Sequence, residues 1–173
     1  MELVATPSTV RLVLLLLACR SAPRVAGMDE TKVVTASTTI PAAPEAVFEL
    51  IADPVRQLAW DGNDNLAASA PGQRVHAVGD VFVTTTTRGN DRYNHVVDFE
   101  EGRRIAWRPA AQGQAPFGHE WRWELAPTDE GRTLVSHTYD WRELTDESRY
   151  ERARSTTESN LRASLDRLAP LFG

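Results

Sequence analysis

Three histidines and one tyrosine are the side chains in this sequence that best suit acid–base chemistry. His119 and His137 lie on two successive predicted strands, Tyr139 follows His137 at a spacing of two, and His95 lies on an earlier strand. An imidazole titrates near neutral pH, and a phenol can donate or accept a proton. His95, His119, His137 and Tyr139 are therefore the candidate catalytic residues.

The three histidines could instead bind zinc or form hydrogen bonds in the core. A three-histidine zinc site would need all three rings to converge. His95 is separated from the other two by the predicted strand around Ile105, and no carboxylate lies at an inward position beside them. The sequence therefore predicts no metal site and favours buried hydrogen-bonding histidines, with acid–base work left open.

Other motifs exclude several kinds of site. Asp61–Asn65 begins like a calcium-binding loop, but Leu66 and Gly72 stand where that loop needs glycine and glutamate. We therefore expect a polar loop at the mouth of a pocket. No nucleophile elbow, phosphate loop or Rossmann turn is present. Cys19 is the single cysteine and precedes the predicted domain, so no internal disulfide and no thiol catalysis are expected in that domain. The sequence also predicts no cofactor.

Alternation along the strands predicts which side chains face inward. In 117–125 every odd position is apolar, aromatic or histidine, whereas positions 120, 122 and 124 are charged. The same alternation places His137 and Tyr139 inward on the following strand. On the strand 92–100 it selects Tyr93, His95, Val97 and Phe99. On the strand that begins at Val81 the inward set stays open.

The elements that position these side chains follow a simple order. A β-branched strand, 32–40, precedes a helix from Pro44 to Ala52 and a second short helix, 55–60. Strands follow at 81–88, 92–100, 104–108, 117–125 and 132–141, and their short connections predict an antiparallel meander. A long helix is predicted from about Thr145 to Leu168. Its apolar stripe comprises Tyr150, Ala153, Thr157, Leu161, Leu165 and Leu168.

Composition limits the partners of this chain. It has 173 residues and a net charge of −5, without a basic stripe, which disfavours nucleic acid and anionic membrane surfaces as partners.

We expect one domain at 28–173. Residues 1–27 are interpreted as an extension from an upstream start codon, or alternatively as a secretion or lipoprotein signal. The apolar run 12–18 is too short to span a bilayer. A cytoplasmic location is expected, and a secreted or lipid-anchored one is the alternative.

The order of short motifs resembles the START-like (SRPBCC) superfamily, in particular its bacterial polyketide cyclase/dehydrase-like branch. Ile40–Pro54, followed by Trp60, resembles the opening strand and helix of that superfamily. The resemblance extends over about 32–170, with Glu101-Gly102 where proline is usual. The further matching segments are Gly79–Phe82, Val97–Arg108, Trp121–Pro127 and Gly131–Val135.

This resemblance implies a helix-grip α+β fold, in which a curved antiparallel sheet of six to seven strands surrounds a long C-terminal helix. It also implies an internal cavity for a small hydrophobic molecule, such as an aromatic polyketide or a lipid-like compound. The alternatives are an aromatase/cyclase enzyme and a partner protein of the Hsp90-activator kind. The candidate ligand-binding residues are Trp60, Phe82, Thr84, Tyr93, His95, Val97, Trp107, Phe117, His119, Trp121, Trp123, His137, Tyr139 and Leu161.

Overall fold

Seven antiparallel strands form one curved sheet, as the alternation and short connections predict. The computed structural model describes residues 31–173. The strands are β1 Val33–Ile40, β2 Leu66–Ser69, β3 Val81–Thr86, β4 Asp91–Glu100, β5 Arg104–Ala110, β6 Glu120–Pro127 and β7 Thr133–Asp140. Their order across the sheet is β1-β7-β6-β5-β4-β3-β2. The chain thus closes its meander by placing β1 beside the last strand.

Two short helices follow β1, as predicted. Helix α1, Pro44–Ala52, begins with proline at a position where its missing N–H costs nothing. Asp53 ends this helix and caps the next one, α2 (Pro54–Trp60), because its side chain accepts a hydrogen bond from the Val55 amide. The buried face of α1 and the end of α2 pack into the core with the inner face of the sheet.

The C-terminal helix is present but interrupted. A 3₁₀ turn, Glu147–Arg149, leads into α3, Tyr150–Arg154, and α4 runs from Glu158 to Leu168. The prediction of one continuous helix from Thr145 is therefore wrong, although the predicted apolar positions of α4 are buried against β1, β7 and α2.

The interruption has a local cause in the segment 155–157. The hydroxyl groups of Ser155 and Thr156 both donate to the Arg152 carbonyl, an alternative to the regular helical pattern. The chain then restarts as a helix at Thr157, whose amide donates to the Asn160 side chain at 2.9 Å. Thr157 is consequently exposed, although the sequence placed it on the buried stripe.

A β-bulge in β4 reverses the inward-facing positions along that strand. Val96 pairs with Trp107 and Asp98 with Ala106, so Val97 is the extra residue. Before the bulge the buried positions are Asn94 and Val96. After it, Phe99 packs against the core.

The predicted inward set of β4 is therefore wrong at three of its four positions. Tyr93 and His95 alternate with the buried residues, and Val97 is 37% exposed. The prediction assumed unbroken alternation backwards from Phe99, and the bulge shifts that alternation by one residue.

The polar loop 61–65 is attached to α4. Asn63 and Asn160 exchange hydrogen bonds, and the Gly62 amide donates to Ser164 Oγ at 3.2 Å. A Cβ at Gly62 would collide with the backbone of Ala163, so only glycine permits this close approach. The loop thus fixes α2 and α4 together.

The predicted boundary between residues 27 and 28, together with the apolar run 12–18 and Cys19, lies outside the described residues. Within residues 31–173, no helix is both long enough and apolar enough to cross a membrane.

Candidate functional site

Six rings form a continuous surface on the inner face of the sheet, which we call the aromatic wall. Trp123 is 0% exposed and His137 5%, whereas the rings nearer the start of β6 are only half-buried. The wall therefore runs from a fully buried end to an end that solvent can reach. Its members are Phe117, His119, Trp121, Trp123, His137 and Tyr139.

The register between β6 and β7 brings these rings together. Trp121 lies directly opposite Tyr139, and Trp123 lies opposite His137. Directly opposed side chains on one face of an antiparallel pair have their Cβ atoms about 5 Å apart, so large rings at these positions must touch. The ring centroids of Trp121 and Tyr139 are 4.4 Å apart. The sequence prediction of an inward odd set on both strands is thus confirmed in its geometry.

Two ring nitrogens at the buried end of the wall have no hydrogen-bond partner. They are Nε1 of Trp123 and Nδ1 of His137, and their rings stack at 3.8 Å with 12° between the planes. Leaving a buried polar group unpaired costs about 1–3 kcal/mol, so such groups are uncommon in the core of a protein. A bound molecule with hydrogen-bonding atoms would satisfy these nitrogens.

Burial keeps His137 neutral. It lowers the pKa of His137 to about 3, and a hydrogen bond to the Leu161 backbone opposes this only in part. Leu161 is itself 1% exposed on α4, so the helix covers this end of the wall. His137 is therefore an uncharged hydrogen-bonding group at neutral pH.

Trp60 closes the buried end of the site from α2. Its ring meets Trp123 edge-on at 5.0 Å, and its Nε1 donates to the Leu50 carbonyl at 2.9 Å. Because Trp60 is 4% exposed and its polar atom is already bonded, it packs as a fixed part of the core.

Side chains of β3, β4 and β5 form the opposite part of the inner face. Phe82 and Thr84 are buried, which decides the orientation of β3 that the sequence left open. The Phe82 and Trp107 rings contact edge-on at 5.4 Å. The buried amide of Asn94 donates to Thr84 Oγ1 at 3.2 Å. Sequence reasoning missed Asn94, since one polar residue between aromatic and apolar neighbours gives no signal of burial.

The solvent-accessible end of the wall lies among positive charges. Burial, followed by the charges of Arg149, Arg152 and Arg92, lowers the pKa of His119 to about 4. Burial raises the pKa of Tyr139 to about 12. His119 is therefore a neutral acceptor or donor at pH 7, and Tyr139 keeps its proton.

The arginines at this end were not among the predicted site residues. Arg92 lies two residues before Asn94 on β4, on the same face of the strand, and it therefore faces inward. Charged residues at strand ends ordinarily face water, which is why the alternation gave no reason to select it.

The structure does not bring the three candidate histidines together. His95 lies on the outer face of the sheet, where it pairs in register with Arg108. His119 and His137 both lie on the aromatic wall. Among residues 31–173, no group of three or more His, Cys, Asp or Glu side chains is placed to hold a metal ion.

A separate depression of about 220 Å³ lies outside the aromatic wall. Charged side chains contribute much of its lining, among them Glu100, Arg103, Arg104 and Glu124. Such a lining does not suit a hydrophobic molecule.

Comparison with known proteins identifies the family. Residues 31–173 match the family model described as polyketide cyclase / dehydrase and lipid transport. The chain belongs to this family. The resemblance to START-like proteins that the motif order indicated is therefore confirmed. Among curated proteins, none matches the chain.

Solved structures of the family's fold are similar to this chain at low identity. An uncharacterised protein from Bacillus thuringiensis is 17% identical, with a TM-score of 0.58, covering 81% of this chain and 98% of that one. The Aha1 dimer from Colwellia psychrerythraea is 19% identical, with a TM-score of 0.55, and the match covers 81% of this chain and 95% of that one. DynU16, a protein of the dynemicin biosynthetic locus, is 20% identical, with a TM-score of 0.56, and the match covers 80% of this chain and 46% of that one. At such identities the likeness shows the helix-grip fold alone.

Proposed function

We propose that this protein binds a small hydrophobic molecule with hydrogen-bonding atoms against the aromatic wall. The observation that carries the proposal is the stacked pair Trp123 and His137, whose buried ring nitrogens lack protein partners. Concave, mostly apolar surfaces with a few unpaired polar groups are typical of small-molecule sites. Membership in a family described by polyketide and lipid ligands supports the same class of molecule.

The half-buried end of the wall offers a route for that molecule. Phe117, His119 and Trp121 are partly accessible to solvent, whereas Trp123 is fully buried. Flat rings such as these provide a large apolar contact area together with polar tips. A planar ligand would stack on the wall and present its polar atoms to the ring nitrogens.

An aromatase/cyclase enzyme is the second candidate, favoured by the contact between His119 and Tyr139. Their ring centroids are 5.6 Å apart, close enough for both to act on one substrate. General acid–base catalysis works best when the pKa of the catalytic group lies near the working pH. The pKa of His119 is lowered to about 4 and that of Tyr139 is raised to about 12, which suits hydrogen bonding to a ligand carbonyl better than proton transfer.

Binding is tested with the full chain and two matched histidine variants. Native mass spectrometry of the protein purified from its own host will identify a co-purifying small molecule. Calorimetry with that molecule, or with 2-naphthol as a probe, then gives its affinity. We expect His137→Phe to weaken binding at least about fivefold. His95→Phe, the same change on the outer face, should leave the affinity unchanged.

The proposal is wrong if no molecule co-purifies and 2-naphthol binds with a Kd weaker than about 1 mM. Equal losses of affinity in the two variants would also contradict it. The enzyme alternative requires that the wild type converts a poly-β-ketone thioester and that Tyr139→Phe abolishes the conversion.

A further inference from the structure

Three arginine side chains converge at the solvent-accessible end of the aromatic wall. The Arg149 guanidinium carbon lies 3.5 Å from the Phe117 ring centroid, and that of Arg92 lies 5.7 Å from the same centroid. Arg152, three residues after Arg149, is close enough to repel the charged forms of Arg92 and His119. Two guanidinium groups therefore lie over the Phe117 ring, and a third positive charge is near enough to act on Arg92 and His119.

Protein carboxylates neutralise these charges only in part. Asp146 accepts a hydrogen bond from Arg149 Nε at 3.1 Å, and Arg92 donates to the Asp91 backbone carbonyl at 2.9 Å. Within residues 31–173, the Arg152 guanidinium makes no hydrogen bond or ion pair. The chain as a whole has 24 acidic against 19 basic side chains, so this local excess of positive charge opposes the general balance.

The charged form of Arg92 is disfavoured at this place. Burial in the first instance, and then the charges of Arg149 and Arg152, lower the pKa of Arg92. Like charges held close together in a half-buried place cost free energy, and an anion placed among them would remove that cost.

We propose that Arg92, Arg149 and Arg152 bind an anionic oxygen group at one end of the ligand, a carboxylate or a phosphate. This inference rests on the proposed function, because the apolar body of the same ligand would lie on the wall. Guanidinium groups present planar sets of N–H donors that match the oxygens of both anions.

The position of the charges sets the orientation of the ligand. The buried end of the wall holds Trp123 and His137, where an anion would lose its hydration without a cation nearby. The arginines lie beside Phe117 and His119, at the end that solvent reaches. The ligand is thus an amphiphile whose ring system enters first and whose anionic group stays at the mouth.

Three probes with one ring system test this assignment. Calorimetry with the full chain compares 2-naphthoate, 2-naphthyl phosphate and the neutral 2-naphthalenemethanol. We expect at least one anion to bind about tenfold more tightly than the alcohol. The tighter of the two anions identifies the group as carboxylate or phosphate. Added NaCl should weaken binding of the anions and leave the alcohol unaffected.

The double variant Arg149→Gln/Arg152→Gln should lose the preference for anions and keep the affinity for the alcohol within about twofold. Arg103→Gln/Arg132→Gln is the matched control, because it removes the same two charges from the turns after β4 and β6, at the opposite ends of those strands from Arg92 and Phe117. It should bind all three probes as the wild type does.

The result separates this inference from the proposed function. If the alcohol binds as tightly as both anions, or if the double variant weakens all three probes equally, the anion site is wrong while binding at the wall stands. If none of the three probes binds, the anion site is wrong, and the proposed function fails with it only if 2-naphthol also does not bind and no molecule co-purifies.

Discussion

The Trp123 indole stacks on the His137 imidazole, and both rings keep a buried nitrogen without a partner. The pair arises because the two residues are directly opposed across β6 and β7. Packing alone would be served by two apolar side chains of similar size, which would leave no polar atom unpaired. A molecule bound at this end of the wall, as proposed above, would supply the partners that these two nitrogens lack.

The buried histidines should make stability depend on pH. Burial lowers the pKa of His137 to about 3, while an unfolded histidine titrates near 6.5. Between these values the unfolded chain binds more protons than the folded one, so the free energy of unfolding falls as the pH falls. We expect His137 alone to account for about 2 kcal/mol between pH 7 and pH 5. His119, whose pKa is lowered to about 4, adds to the same trend.

Urea unfolding at pH 7, 6 and 5 measures this effect. His137→Phe should show a shallower dependence on pH than the wild type. Tyr139→Phe is the control, because burial raises the pKa of Tyr139 to about 12 and its phenol does not titrate in this range. Equal pH dependence in the wild type and His137→Phe would contradict the assignment.

The loop at Gly62 should tolerate no larger side chain. A Cβ there would collide with the Ala163 backbone, so Gly62→Ala must push the loop away from α4. We expect a loss of about 1–3 kcal/mol in the free energy of unfolding. Asn63→Ala, which removes the hydrogen bonds to Asn160 but adds no atom, should cost less. Chemical denaturation of both variants tests the order, and a neutral Gly62→Ala would show that the contact is not tight.

The sequence predicted the inward faces of β6 and β7 well, because the alternation is unbroken along β6 and only Leu134, which is 42% exposed, departs from it on β7. It failed on β4, since Val96 and Val97 are both apolar and nothing marks which of them is the extra residue of the bulge. It also missed β2, a four-residue strand rich in alanine, which has weak strand propensity. The helix break was predictable in principle from the Ser-Thr-Thr run at 155–157.

The mouth of the site could not be predicted for a different reason. Arg92 lies at the start of β4, Arg149 ends the 3₁₀ turn and Arg152 lies on α3. Only the tertiary fold brings Arg92 and Arg149 over the Phe117 ring. The alternation and periodicity of residue types along the sequence predict which positions are buried. They do not predict which charged side chains lie close together in the folded protein.

Ion pairs on the outer face should differ in strength according to burial. Glu120 is held between Arg108 and Arg122 at 3.1 and 2.9 Å, and its side chain is 12% exposed. Removing its charge leaves both arginines without that partner, so Glu120→Gln should lower the free energy of unfolding by about 1–2 kcal/mol. Glu130 pairs with Arg132 at 3.7 Å and is 77% exposed. The matched change Glu130→Gln should cost less than about 0.5 kcal/mol, and equal costs would contradict the argument.

The start of α4 should depend on Thr157. Its amide and hydroxyl both donate to the Asn160 side chain, at 2.9 and 2.8 Å, which orders the first turn after the break. Thr157→Ala removes the capping hydroxyl and should lower the free energy of unfolding by about 1 kcal/mol. Thr156→Ala is the control, because it removes only the side-chain hydrogen bond from the Thr156 hydroxyl to the Arg152 carbonyl, and this loss should cost about a few tenths of a kcal/mol. Urea denaturation monitored by circular dichroism measures both variants. If Thr156→Ala proves the more costly, then α3, and not the cap of α4, holds this segment in place.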